Sequence, residues 1–340
     1  MKNKHSLTPG EEDIEKLRAA IIGLGQVGSR FDEDVRRKQI WSHAGAYLEL
    51  DDDYDLVLGI DIASNNREAF KRRCPNSEVA ADLEACEGHN VSVFSVCTPP
   101  ETHFKIISTI LDHDGIDAIW SEKPFVMESA QAKYINAMAN EKSVPIYVSH
   151  TRRWMPLWIE AKNLIDRKIF GNTVSLSICF PNRIWSIGSH AIDLVQYLAG
   201  NFKSIGGVNL ATLKEDNEET FSFIIQHESG AVSTFTPTGL KRNLYLNCRV
   251  FCEYGVIEID ENDGRICLRS FEKSQNFSNY FEPSREKVAT FSDRVNFSPF
   301  LSIAKDIARK VKPRCSGADA SQTIWALDSL QKDAPNELKS

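Results

Sequence analysis

The stretch Arg18-Ala-Ala-Ile-Ile-Gly-Leu-Gly-Gln-Val-Gly28 leaves this chain few choices of fold. Ala19 to Ile22 read as a buried strand that runs into Gly23, Gly25 and Gly28, spaced G-x-G-x-x-G. In such a strand-to-helix turn the first glycine makes the tight bend. The second lets a pyrophosphate reach the backbone, and the third lets the helix pack on the strand. Gln26 and Val27 complete the turn, and the helix after it offers unpaired N–H groups and its positive dipole end to the phosphates. The expected ligand is a dinucleotide.

A glycine turn alone is a weak signal, so the second strand decides. Tyr54-Asp-Leu-Val-Leu-Gly-Ile-Asp61 is an apolar run with an acid at its carboxyl end. There a carboxylate bonds the adenosine ribose hydroxyls and repels a 2′-phosphate, which favours NAD over NADP. The distance from the glycines to Asp61 exceeds the usual ~20 residues. Phe31 to Trp41 accounts for the excess as an insertion before a helical stretch, His43 to Leu50.

Strands and helices then alternate. Helix-like Ser64–Arg73 precedes a strand within Asn90–Thr98 and a helix over Glu101–Leu111. Strand Asp117–Trp120, helix Ser129–Asn140 and strand Val144–Val148 follow. This order predicts an α/β domain with a doubly wound parallel sheet of Rossmann type over residues 1–150. Residues 1–17 form an appendage in which Thr8-Pro-Gly-Glu11 reads as a helix start.

From Thr173 the rhythm changes. Candidate strands succeed one another at Thr173–Phe180, Ser204–Leu213, Thr220–His227, Ala231–Thr236, Leu244–Glu253, Val256–Ile259 and Arg265–Ser270, with one helix, Ser189–Leu198, among them. Residues 151–340 are therefore expected to form an α+β domain with a large, open, mostly antiparallel sheet. Two closing helices, Pro299–Val311 and Ala318–Leu330, are placed to pack back on the first domain.

Composition narrows the function. A net charge of −7 offers no general field for nucleic acid or an anionic membrane. No apolar run approaches the ~20 residues of a membrane span, and the N-terminal residues lack a secretory pattern. The eight cysteines are scattered, without the spacing of a zinc set, so no metal is expected; reduced structural thiols in the cytoplasm are.

Four signals stand in order: G-L-G-Q-V-G at Gly23–Gly28, C-T-P-P-E-T-H at Cys97–His103, E-K-P at Glu122–Pro124, and G-S-H-A-I-D at Gly188–Asp193. That order resembles the glucose-fructose oxidoreductase / inositol dehydrogenase / rhizopine catabolism (Gfo/Idh/MocA) family. The likeness extends through Arg153-Trp-Met-Pro156 to Ser316-Gly-Ala-Asp-Ala320. It implies an NAD(P)-dependent oxidoreductase of a sugar, sugar acid, polyol or nucleotide-sugar, assembled as a homodimer or homotetramer through the second-domain sheet. By the same resemblance Lys123 sits beside the nicotinamide and the reacting carbon, and His190 is the acid/base. Thr98 and Pro99 line the nicotinamide side, with His103 in the same loop, and Glu122 partners the ribose or carboxamide.

The chemistry asks for such groups: a base for the hydroxyl proton and a cationic donor for the developing oxyanion. His150 and His103 read as packing or helix-starting residues rather than catalysts. The chain departs from the family at Ser186, where many members carry an aspartate ahead of the histidine, and in the short segment from Gly171 to His190. A serine cannot carry the charge that stabilises an imidazolium. Ser186, Arg183, Trp185 and Asp193 are the remaining substrate-side candidates, the arginine suited to an anionic group and the tryptophan to a sugar face. The alternative is a cofactor-binding sensor or scaffold of the same fold that has lost its chemistry.

Overall fold

The computed structural model describes residues 15–181, 183–206, 213–215, 218–239, 244–284, 287–290 and 297–333. The expected helix start at Thr8 lies outside them. Six strands form the first sheet: β1 Leu17–Ile22, β2 Tyr54–Ile60, β3 Glu78–Ala80, β4 Val93–Val96, β5 Ala118–Ser121 and β6 Ile146–Val148. They pair in parallel in the order β3-β2-β1-β4-β5-β6. The last four residues of β1 and all of β4 and β5 are buried, as sheet strands covered on both faces must be. The strand order reverses between β1 and β4, where a doubly wound sheet opens a crevice at its carboxyl edge.

The helix expected directly after Gly28 is interrupted. The glycine turn closes through Ser29 N–H to Gly25 O, and α1 begins only at His43, running to Glu49. Yet the hydrogen-bond ladder crosses the gap, because His43 N–H donates to Val27 O at 3.1 Å and Ala44 N–H to Gly28 O at 2.9 Å. Residues 29–42 thus loop out of a helix that resumes where it stopped.

Asp32 fastens the loop. Its carboxylate accepts from Trp41 N–H at 2.6 Å and Ser42 Oγ at 2.5 Å and pairs with Arg73 at 2.9 Å, at the end of helix α2, Ser64–Arg73. Ser42 Oγ in turn caps α1 by accepting from Gly45 N–H. Two further helices, α3 His103–Leu111 and α4 Ser129–Glu141, complete the first layer set.

Helix α5, Pro156–Asp166, leads into the second domain. Its nine-stranded sheet is built from β7 Thr173–Phe180, β8 Phe202–Gly206, β11 Phe223–His227, β12 Val232–Pro237, β13 Asn247–Cys252, β14 Gly255–Asp260, β15 Arg265–Lys273, β16 Phe281–Pro283 and β17 Lys287–Thr290. A separate hairpin pairs β9 Leu213–Glu215 with β10 Glu218–Thr220. Among the described residues every pairing in this sheet is antiparallel except β7 with β12. In β7, Leu176, Ile178 and Phe180 face the core beneath helix α6, Ser189–Ala199, while Ser175, Ser177 and Cys179 face outward. Ile224, Arg249 and Phe251 lie exposed on that outer side.

Several boundaries differ from expectation. The strand expected over Ser204–Leu213 is β8 followed by residues partly outside the described set, and β3, β16 and β17 were not anticipated. Helices α7, Pro299–Ala308, and α8, Gly317–Asp333, close the chain. Tyr54 Oη donates to Ala304 O, and Asn136 Nδ2 to Gly317 O. Ala320 and Ile324 of α8 belong to the first core, Leu327 and Leu330 to the second, so this helix spans both. Asp32→Ala removes the insertion's clasp and should cost roughly 1–3 kcal/mol of stability, read from urea unfolding; a loss below a few tenths would show that the loop holds itself.

Candidate active site

The glycine turn has a steric logic. Gly23 has φ +94°, and a Cβ there would stand 2.6 Å from the Cys97 carbonyl carbon. A Cβ at Gly28 would stand 1.9 Å from Gly23 O, so the third glycine is required by packing rather than by a ligand. At Gly25 no neighbour lies within 4 Å, which leaves its backbone open to the crevice. That crevice encloses about 780 Å³ and is lined in part by Gly23, Gly25, Gln26, Val27, Asp61, Thr98 and Pro99. The Asp61 carboxylate is held at its rim by Leu24 N–H and Ala63 N–H, both at 2.8 Å, and by Asn66 Nδ2 at 3.0 Å. An open glycine backbone at one end and a fixed carboxylate at the other suit a dinucleotide.

Two expected cofactor residues turn inward instead. His103 is fully buried, and its ring nitrogens lie 3.0 Å from Pro124 O and 2.8 Å from Thr98 O, tying the C-T-P-P-E-T-H loop to the E-K-P loop. It positions the crevice wall without lining it. Glu122 directs Oε1 to His43 Nε2 at 3.1 Å rather than into the crevice. Burial alone would raise this carboxyl, but His43, Ser149 and Lys123 outweigh it and hold it below the ordinary range.

His43 is fully buried and its pKa is lowered by that burial, against the pull of Glu122. A neutral ring donating from Nε2 to Glu122 must accept at Nδ1, so Ser95 Oγ donates there at 2.9 Å and Tyr47 Oη donates to Ser95 Oγ at 2.8 Å. One tautomer satisfies the whole line.

Lys123 follows β5, its peptide to Pro124 is cis, and its Nζ donates to Ser186 O at 3.0 Å. Ser186 lies in a single π-helical turn, Ile184–Gly188, that feeds α6. Arg183, before that turn, is left-handed at φ +76°, with its N–H donated to Thr220 Oγ1 at 2.7 Å. Trp185 is half-buried against the second core. His190 opens α6, and His150 enters from the end of β6 with ring centroids 5.5 Å apart.

Asp193, expected on the substrate side, turns inward. It is fully buried and paired with Arg153 at 2.8 Å, while Arg153 also bonds Gln196 and Arg314 O. An aspartate one turn beyond the histidine looks like its partner in sequence; an arginine far along the chain takes it. Arg152 forms a two-point pair with Glu261, at 2.6 and 2.9 Å. Among the described residues no three His, Cys, Asp or Glu side chains are grouped to hold a metal ion, and no helix is long and apolar enough to cross a membrane.

Fold and crevice define a two-domain oxidoreductase class built on an NAD-binding sheet. Residues 17–150 match the model of the oxidoreductase family with an NAD-binding Rossmann fold, and residues 182–258 match the GFO/IDH/MocA C-terminal domain. The chain belongs to the Gfo/Idh/MocA family. Scyllo-inositol 2-dehydrogenase (NADP(+)) IolW of Bacillus subtilis is 23% identical over 237 residues, a match spanning 64% of this chain and 61% of the relative. The chain thus spans about three fifths of that relative's length.

Two solved structures share the fold throughout. UDP-N-acetylglucosamine 3-dehydrogenase GnnA from Acidithiobacillus ferrooxidans superposes with TM-score 0.73 at 17% identity, covering 96% of this chain and 100% of that one. The WlbA dehydrogenase from Bordetella pertussis, in complex with NADH and UDP-GlcNAcA, gives 0.72 at 17%, covering 96% and 98%.

Sequence reading did not bring His43, His150 or Arg153 to the site, since each meets its partners only through tertiary contacts. Burial lowers His150 to about 4 and His190 well below its ordinary value, the latter helped by Arg152, Lys123 and His150. With His43 these rings bind fewer protons folded than unfolded, so their contribution is present above the unfolded value near ~6.5 and lost as pH falls toward 4. The melting temperature should therefore drop between pH 7 and pH 5 in a calorimetric series; a flat or rising trend would contradict the buried neutral rings.

Proposed function

We propose that this protein is an NAD(P)-dependent oxidoreductase that moves a hydride between nicotinamide and a hydroxyl-bearing carbon of a sugar, sugar acid, polyol or nucleotide-sugar. One observation carries the reading: Lys123 Nζ reaches Ser186 O at 3.0 Å, so the E-K-P motif of the first domain meets the turn that leads to His190 in the second. A bound nicotinamide supplies the hydride acceptor. Lys123 donates to the substrate oxygen and stabilises the charge that develops there. His190, a neutral imidazole, accepts the hydroxyl proton in the oxidising direction.

NAD is favoured over NADP because the fixed Asp61 carboxylate opposes a 2′-phosphate at the crevice rim. The relatives act on an inositol and on UDP-sugars by name, which supports a polyhydroxylated substrate. The eight cysteines, none in a disulfide, support a reducing compartment, the cytoplasm. The exposed sheet face around Ile224 and Phe251 is where a second copy would dock in a homodimer or homotetramer. A second reading, a sensor or scaffold that binds the dinucleotide without turnover, is favoured by Ser186 standing where a carboxylate assists the histidine.

Fluorescence titration with NADH and NADPH tests the cofactor. Tight NADH binding, weakened at least about tenfold in Asp61→Ala, is expected; equal affinity for both nucleotides would remove the preference. Lys123→Met should lower kcat by roughly 10²–10³ on a turned-over sugar while NADH still binds. Full turnover by that variant would overturn the role given to Lys123, and no turnover by the unaltered protein on any sugar would favour the sensor.

A further inference from the structure

His150 and His190 come from opposite sides of the domain junction and meet edge to face, with ring planes at 87° and centroids 5.5 Å apart. His150 is 1% exposed. Both Nδ1 atoms are buried and have no hydrogen-bond partner among the described residues. Two adjacent imidazoles with unmet nitrogens are costly to bury unless they do something.

The charges around the pair are sorted by side. Lys123 and Arg152 face His190. Asp193, Glu122, Arg153 and Lys123 face His150, with Asp193 Oδ2 3.9 Å from its Nδ1, an ion-pair separation outside hydrogen-bond range. Among the described residues, Arg152, Lys123 and the second ring act on His190, whereas His150 feels two carboxylates, Asp193 and Glu122, as well as Arg153 and Lys123. The Asp193 carboxylate, 3.9 Å from His150 Nδ1, is the group that favours a proton on that ring.

We propose that His150 is the second imidazole of a relay pair, taking from His190 the proton of the substrate hydroxyl and so filling the place left by Ser186. The proposal rests on the oxidoreductase reading and deepens it. In the oxidising direction the substrate O–H bond breaks and its proton goes to a His190 ring nitrogen. The C–H bond gives its electron pair, as hydride, to NAD(P)+, and the C=O bond forms. His190 passes the proton to His150 through one bridging water and returns to its neutral form, and bulk water takes the proton from His150 before the next turnover. Reduction runs the same path backwards. His150 touches neither substrate nor cofactor in this scheme and is a positioning and relay residue.

Two measurements test it. In ring-15N-labelled protein with NADH bound, the pH-dependent nitrogen shifts of His190 should change in His150→Asn, because the neighbouring ring and its proton are gone. Unchanged His190 shifts would overturn the pair. In kinetics His150→Asn should lower kcat between about tenfold and the roughly hundredfold of a lost general base, with KM changed less than about twofold. Its acid limb should move, and free imidazole should restore part of the rate. Wild-type kcat and pH profile, or a loss that imidazole does not relieve, would overturn the relay. Should the unaltered protein bind NADH yet oxidise no sugar, the oxidoreductase reading fails, while the nitrogen shifts still decide whether the two rings are coupled.

Discussion

The buried Arg153 guanidinium is the constraint on which the geometry of the site depends. It sits 3% exposed at the passage from one domain to the other and engages Asp193 and Gln196 of α6, Arg314 O before α8, and Asp319 within it. Burial alone would lower its affinity for a proton; Asp193 and Asp319 outweigh that and keep it charged. Such an ion pair contributes little net stability compared with an apolar filling, but breaking one side leaves a charge stranded at a cost of ~3–5 kcal/mol. Its value is directional. Two arms of the guanidinium hold α6 and the third holds Arg314 O and Asp319, which ties α6, and with it His190, to the segment that follows His150.

The first domain solves a matching problem by other means. Lys123 is anchored through its neighbours: Glu122 to His43, and Pro124 to His103. The His43 line runs back through Ser95 to Tyr47 and is packed on Trp120, with ring centroids 3.7 Å apart. His43 is also the first residue of the resumed helix. The turn that would bear the phosphates and the loop that carries the lysine are therefore one rigid piece, and the insertion between Gly28 and His43 leaves it intact because the backbone ladder bridges the gap.

Much of this was legible in the chain, and what was not has a common cause. The glycine spacing and Asp61 announced the crevice because Gly23 and Gly28 meet local steric demands and Gly25 leaves the backbone open. Alternation of strands and helices announced the first sheet and a run of successive strands the second, since period and burial are short-range signals. The missed strands β3, β16 and β17 are short edge strands with mostly exposed residues, so no apolar pattern marks them. Lys123 and His190 were found through motif order. Asp193 and His103 turn to partners that their motifs do not show, because a side chain's spacing from a motif does not reveal what it touches. The partner of Asp193 lies 40 residues earlier and that of His103 21 later.

Ser186 shows where sequence and structure ask different questions. Read as a side chain, a serine in place of an aspartate removes a charge and argues against proton transfer. In the fold it is the backbone of this residue that serves: its carbonyl accepts from Lys123 Nζ at 3.0 Å and from Ser189 Oγ at 2.9 Å. A π-helical turn widens the helix entry and releases carbonyls from the regular ladder, which makes one available to an outside donor. The lysine is thereby oriented from the second domain by a neutral carbonyl, which binds an ammonium less tightly than a carboxylate does. In the proposed reaction that carbonyl holds Lys123 in place while its charge serves the oxyanion.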